Sequence, residues 1–278
     1  MSGTLYIVAT PIGNLEDLTP RARQTLATVD LIAAEDTRHT GRLLSHIGVK
    51  TPQKAVHDHN ESDVVPALIQ MLTDGKSIAL VSDAGTPLVS DPGYRLVAAA
   101  HANGIAVSPV PGASSVIAAL SVAGLPSDRF CFEGFAPNRA GARMSWLQQF
   151  ANETRTLVFL ESVHRIGDSV RDMVAVFGAG RQAFVGRELT KMHEQCVQGT
   201  LAEIAAQLAA KTIPEKGEFV VIVAGAEEQA GAAYETDRLL RELSAHLPAR
   251  TAAAIAARLT GERKNALYTR LLELTNGN

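Results

Sequence analysis

The chain has 278 residues, 46% of them hydrophobic and 20% charged, with 26 Lys and Arg against 29 Asp and Glu. A formal net charge of -3 excludes a surface coated in positive charge, so a nucleic-acid partner has to be held by a local basic face. Two cysteines far apart in sequence, Cys131 and Cys196, exclude a disulfide scaffold; with no signal peptide at Met1-Ser2-Gly3-Thr4 and no apolar run near the ~20 residues of a membrane span, they fit a reduced cytoplasmic protein.

Residues 5–10 read as a first strand, followed by a helix opened by the N-cap Thr19 and Pro20 and running to about Val29. A short apolar strand at 31–34 precedes a helix from about Thr40 that stops at Gly48. A weaker strand at 54–56, a helix at 63–72, a strand at 78–81, a helix at 94–102, a strand at 106–110 and a helix at 115–120 complete the first half. Strands that alternate with helices and are apolar throughout predict a mostly parallel, covered sheet over residues 1–120. The segment at 123–128 reads as a hinge into a second unit, 121–226, with strands at 130–135, 156–160, 183–187, 196–200 and 219–224. Strands there that follow one another without a helix predict a mixed sheet. Beyond a small-residue linker, 235–278 reads as three short helices with a helix-turn-helix-like turn. From Pro248 onward five Arg and Lys face two Glu, a local charge of about +3 that suits phosphate contact or a solvated cap.

Four loops after predicted strands collect glycines, hydroxyls and acids. The richest, Ser82-Asp83-Ala84-Gly85-Thr86-Pro87 with Asp91-Pro92-Gly93, sits where open α/β sheets bind ligands, outside the carboxyl ends of the strands. The others are Thr10-Pro11-Ile12-Gly13-Asn14-Leu15-Glu16-Asp17-Leu18-Thr19, Ala34-Glu35-Asp36-Thr37-Arg38-His39-Thr40 and Val110-Pro111-Gly112-Ala113-Ser114-Ser115. A GxGxxA match at 178–183 follows a helix and precedes a strand, the reverse of a dinucleotide fingerprint. No GxSxG elbow is present, and neither His57-Asp58-His59 nor His193-Glu194 completes a metal set, so no metal is expected.

These loops, with Phe132-Glu133-Gly134-Phe135, Glu161-Ser162-Val163-His164-Arg165, Arg187-Glu188-Leu189-Thr190-Lys191 and Gly217-Glu218-Phe219, make the chain resemble the ribosomal-RNA-modifying branch of the tetrapyrrole methylase superfamily from about Thr4 to Ala224. The C-terminal helices resemble the domain appended in that branch. The resemblance implies an α/β fold: two α/β domains of the tetrapyrrole methylase type with S-adenosylmethionine (SAM) in the cleft between them, plus the helical module. It implies a homodimer, and methyl transfer to the ribose 2′-hydroxyl of a cytidine in 16S ribosomal RNA of the small subunit. Carried onto this sequence, the cofactor positions are Ile12, Asp83, Ala84, Gly85, Thr86, Val89, Ser114, Ser115, Glu161, Leu189 and Ala224. The first loop lacks the Gly-x-Gly-Pro-Gly-Asp of the tetrapyrrole enzymes, which weakens the alternative of a tetrapyrrole-like small-molecule acceptor.

A ribose hydroxyl is a poor nucleophile, so a proton acceptor is expected. Lys191 is one candidate if burial lowers its pKa, acting with a carboxylate such as Glu188, Asp36 or Glu161. Arg38, Arg165 and Arg187 are candidates for RNA phosphate, because guanidinium bonds phosphate bidentately, and each equally suits a structural ion pair.

Overall fold

The computed structural model describes residues 2–227 and 231–276. Two compact units follow one another, Met1–Gly225 and Ala226–Asn278.

The first half of the larger unit alternates β1 (Thr4–Val8), α1 (Pro20–Thr28), β2 (Leu31–Ala34), α2 (Thr37–Ile47), β3 (Gln53–Ala55), α3 (Glu61–Thr73), β4 (Ile78–Val81), α4 (Tyr94–Ala102), β5 (Ala106–Val110) and α5 (Ser115–Val122). The strands form one sheet in the order β3-β2-β4-β1-β5, and every pairing is parallel. β2 and β4 are buried at every position, as apolar strands covered on both faces must be. Leu26, Leu43 and Leu44 pack one face and Leu68, Leu72 and Leu96 the other. Local chemistry sets the helix ends: the Thr19 hydroxyl accepts from Ala22 N–H with Pro20 in the first turn, and Gly48 closes α2 at φ 72°. The first strand is shorter than its apolar run suggests. It ends at Val8, and Thr10 instead makes an isolated antiparallel bridge to Gly85.

The second half supplies β6 (Phe130–Phe135), α6 (Ala140–Gln148), β7 (Thr156–Ser162), α7 (Ile166–Phe177), β8 (Gln182–Arg187), β9 (Gln195–Thr200), α8 (Leu201–Ala209) and β10 (Glu218–Val223). Its sheet runs β6-β7-β10-β8-β9, parallel between β6 and β7 and antiparallel elsewhere. Period-two alternation divides the strands between two cores. Phe159, Val185, Phe219 and Val221 face α6–α8, whereas Val158, Phe184, Val220 and Ile222 face the other way, onto Val116, Ala119 and Leu120 of α5 and onto Ile12. This seam joins the two sheets, and residues 123–128 contribute Ala123 and Leu125 to it.

The smaller unit comprises α9 (Gly231–His246), α10 (Ala249–Thr260) and α11 (Lys264–Asn276). Ala252, Ala253 and Ala256 let α10 lie close to Leu240, Leu267 and Leu271, and Gly261 at φ 76° makes the turn into α11. Arg270 is held by Asp237 and Glu273, so of the five cations beyond Pro248 it is already partnered.

Candidate functional site

The loops after β1, β4 and β5 meet at the carboxyl ends of their strands. Thr10 N–H donates to Gly85 O at 2.9 Å and Gly85 N–H to Thr10 O at 3.0 Å, while the Thr86 hydroxyl donates to Ala113 O at 3.2 Å. Gly85 has φ +82°, and a Cβ there would meet Ile12 Cγ2 at 3.3 Å. Leu88 at φ 72° and Ser90 at φ 66° occupy the left-handed region, a costly conformation for residues with side chains that the surroundings must hold. Part of that support is Glu61 of α3, whose buried carboxylate accepts from Arg95 and Leu96 N–H at 2.9 and 3.1 Å.

The second sheet answers with residues 188–191. Glu188 and Thr190 are also left-handed, at φ 50° and 65°. The Thr190 hydroxyl accepts from Asn14 N–H at 3.2 Å, and the Lys191 side chain lies over Gly13, where a Cβ would come within 2.3 Å of Lys191 Cγ. Lys191 Nζ donates to Glu188 Oε1 at 2.8 Å and to Glu218 Oε2 at 3.0 Å. Loop 188–191 is thereby clamped onto the first loop of the other sheet.

Three cavities border these loops. A small inner one of about 70 Å³ is lined by Ile12, Ala84, Ser115, Leu189, Glu218 and Val220, among others. An outer one of about 360 Å³ shares Ile12, Ala84 and Glu218 with it and adds Lys191, His39 and Arg42. An apolar one of about 670 Å³ takes in Thr86, Val89, Gly112, Ser114 and Phe132, a size within the range of small-molecule sites. Of the expected cofactor positions, Ile12, Ala84, Ser115 and Leu189 therefore gather at the inner cavity and Thr86, Val89 and Ser114 at the apolar one. Gly85 shapes the wall between strand ends, and the Asp83 carboxylate accepts from Asp36 N–H at 3.1 Å. The half-buried Ser114 and Ser115 hydroxyls, at the start of α5, hold no described hydrogen bond, and Ser114 does not cap its helix. Such hydroxyls beside apolar walls fit a nucleoside with a polar tail. If SAM is the ligand the family resemblance implies, replacing both with Ala should weaken its binding about tenfold or more by calorimetry, the loss of one or two hydrogen bonds, with unchanged melting.

Glu161 and Ala224, like Asp83 and Gly85, line none of the three cavities. Glu161 is buried with its carboxylate fully engaged by Ser162 N–H, Arg165 Nε and the Ser169 hydroxyl. Ala224 directly follows β10, and its carbonyl accepts from Arg181 Nη1 at 3.2 Å.

The candidate bases and phosphate ligands also sort differently. Burial pulls the Lys191 ammonium down, but its bonds to Glu188 and Glu218 outweigh this and leave its pKa above the usual lysine value. Burial pushes Glu188 up, and Lys191 and Glu218 N–H reverse that, leaving it below its ordinary value. Asp36 accepts two bonds from the Arg38 side chain and one from Arg38 N–H, which hold it far below the carboxylate range and make it a poor proton acceptor. Arg38 is thus exposed but paired, and Arg165 is paired with Glu161. Arg187 is buried and donates to Lys216 O and His193 O, a brace between backbone segments and no phosphate ligand. Burial raises the carboxyl of Glu35, despite a bond from Asp83 N–H, with Asp91, Asp83 and Asp58 adding to the shift. His39 closes the strand-end loop at 34–40, whereas Arg42 lies outside every motif; its only signal is helical spacing on α2, which carries no acid.

Because Glu188 has a depressed pKa, its share of stability is present above the unfolded glutamate pKa and is lost as pH falls through the folded value. Lys191→Met should weaken that dependence, leaving Glu218 N–H as its remaining hydrogen-bond cause, and, by freeing loop 188–191, slow methyl transfer; a pH series of melting curves on both proteins checks it.

The model of the family "Tetrapyrrole (Corrin/Porphyrin) Methylases" matches residues 4–205, and that of the "RsmI C-terminal HTH domain" matches 230–275. The chain is 54% identical over 267 residues to the ribosomal RNA small subunit methyltransferase I of Xylella fastidiosa (strain Temecula1), covering 96% of this chain and 98% of that one. It is 51% identical over 277 residues to the protein of the same name from Pseudomonas aeruginosa, with 98% of each covered. Among solved structures, uroporphyrin-III C-methyltransferase from Thermus thermophilus complexed with S-adenosyl homocysteine matches with a TM-score of 0.55 at 20% identity, over 80% of this chain and 97% of that one, a likeness of fold. With strand-end loops, clamped second sheet and helical module all in place, the chain belongs to the tetrapyrrole methylase family, in its ribosomal RNA small subunit methyltransferase I branch.

Proposed function

We propose that the protein methylates the ribose 2′-hydroxyl of a cytidine in 16S ribosomal RNA, with SAM as the methyl donor. The observation that carries this reading is near-half or greater identity, over almost the whole chain and including the helical module, to relatives named for that RNA subunit. SAM supplies a methyl group made electrophilic by its sulfonium. The chain's own part is positioning: Ile12, Ala84 and Leu189 give apolar walls, the Ser114 and Ser115 hydroxyls anchor polar atoms, and loop 188–191 closes against Gly13 and Asn14 to exclude water. The acceptor enters from the outer cavity. Its proton leaves toward the Glu218 carboxylate, which borders both the inner and the outer cavity and is bonded by Lys191.

The homodimer belongs to the same proposal. Val89, Ile117, Phe130 and Phe135 are exposed large apolar residues on the β4–α4 loop, α5 and the edge strand β6, the first three also lining the apolar cavity, and together an apolar surface of the kind that a second copy covers. Among the described residues no helix is long and apolar enough to cross a membrane. A ribosomal substrate places the reaction in the cytoplasm. Labelled SAM, small subunits from cells lacking the protein and nucleoside mass spectrometry test the activity. A single 2′-O-methylcytidine is the expected product; SAM binding without RNA methylation would move the acceptor to a small molecule.

A further inference from the structure

The face that α2 turns to solvent is cationic and borders the outer cavity. Its buried side is Thr40, Leu43, Leu44 and Ile47, which leaves Arg38, His39, Arg42 and His46 outward, with no acid on the helix. Arg38 is spent on Asp36, and Lys191 across the cavity is spent on Glu188 and Glu218. Arg42 is different. It lines the outer cavity, is exposed, and its guanidinium has no hydrogen bond or ion pair among the described residues. His39 lines the same cavity one helical turn away and is likewise without a described partner.

A ribose acceptor within RNA never arrives alone: its 3′-phosphate hangs from the carbon adjacent to the one that bears the reacting hydroxyl. A hydroxyl brought from the outer cavity toward the inner one therefore carries a phosphodiester to the rim. We propose that Arg42, with His39 beside it, is the phosphate-binding element that seats the acceptor nucleotide of a single RNA strand at the outer cavity, and that the outward face of α2 continues this track along the strand. The inference rests on the proposed RNA acceptor and names the residues that recognise it. Guanidinium suits the task because its paired donors match two phosphate oxygens. An unpaired Arg also loses no existing ion pair when phosphate arrives. Such a contact is indifferent to base identity, so it adds affinity and register and leaves sequence selection to other groups.

The test uses the full chain and its variants Arg42→Ala, Arg42→Glu and Arg42→Lys. Arg42 is exposed and unpartnered, so unchanged melting is expected for all three. Methylation of subunits should show KM raised about tenfold for Arg42→Ala and further for Arg42→Glu, partial recovery in Arg42→Lys, and SAM affinity within about twofold of the parent. Fluorescence anisotropy of a labelled cytidine-containing oligoribonucleotide against salt should show a slope reduced by about one in Arg42→Ala. If the parent methylates RNA and Arg42→Glu matches it in KM and in salt slope, the inference is overturned and the function stands. If the parent methylates no RNA, the anisotropy decides: a slope lowered in Arg42→Ala keeps the RNA track while the proposed function falls, and an unchanged slope overturns both.

Discussion

Replacing Glu161 with Ala should destabilise the larger unit by about 3–5 kcal/mol, the cost of leaving the partners of a buried ion pair uncompensated. Glu161 is 2% exposed, and its carboxylate is the one acceptor shared by Arg165, the fully buried Ser169 hydroxyl and Ser162 N–H. Arg165 would be left part-buried without its anion at the start of α7. The melting temperature should fall by roughly 6–20 °C for a unit of this size. Glu161→Gln, which keeps an acceptor and loses the charge, should fall less. SAM affinity of the folded variant should be unchanged. The opposite pattern, normal melting with lost SAM binding, would return Glu161 to the cofactor site.

A second large effect is expected from Glu61→Ala, about 2–4 kcal/mol from two charge-assisted hydrogen bonds and the favourable field at a helix N-terminus. The N-cap of α4 is Gly93, which has no side chain to offer, and the Glu61 carboxylate from α3 takes its place at Arg95 and Leu96 N–H. Gly93 itself sits at φ +122°, and a Cβ there would come within 2.5 Å of Leu80 Cδ2, so no capping residue can replace it. The same helix start terminates the loop holding Leu88 and Ser90 in left-handed conformations. Hydrogen exchange should therefore accelerate first across residues 82–97, and SAM should bind more weakly before the protein as a whole unfolds. Uniformly faster exchange along the whole chain would show instead that Glu61 acts only on global stability.

Much of this was legible in the sequence because it is local. Thr19-Pro20 and Gly48 mark helix ends through their own backbone chemistry, and continuous apolar runs such as Ile78–Val81 mark covered parallel strands. The strand-end loops advertised themselves through glycine, hydroxyl and acid content. What stayed hidden depends on partners distant in sequence. Nothing near Arg187 shows that Lys216 O and His193 O will occupy its guanidinium, nor near Lys191 that Glu218 will raise its pKa. Ala224 matches a family position after β10, and nothing near it in sequence shows that Arg181 donates to its carbonyl. Arg42 lies outside every dense motif and reaches the cavity only because α2 folds over the loop after β1.

The two sheets also dictate when the chain can fold as it is synthesised. β1 (Thr4–Val8), made first, lies between β4 and β5, which begin only at Ile78 and Ala106. β10 is more extreme, being the last strand made and the one that sits between β7 and β8. Until residues 218–223 emerge, the second sheet exists as two separate halves, each with an open edge made of strongly apolar strands. A nascent chain stalled before Glu218 is for that reason an aggregation hazard, and a chaperone that shields strand edges should hold it for longest over that interval.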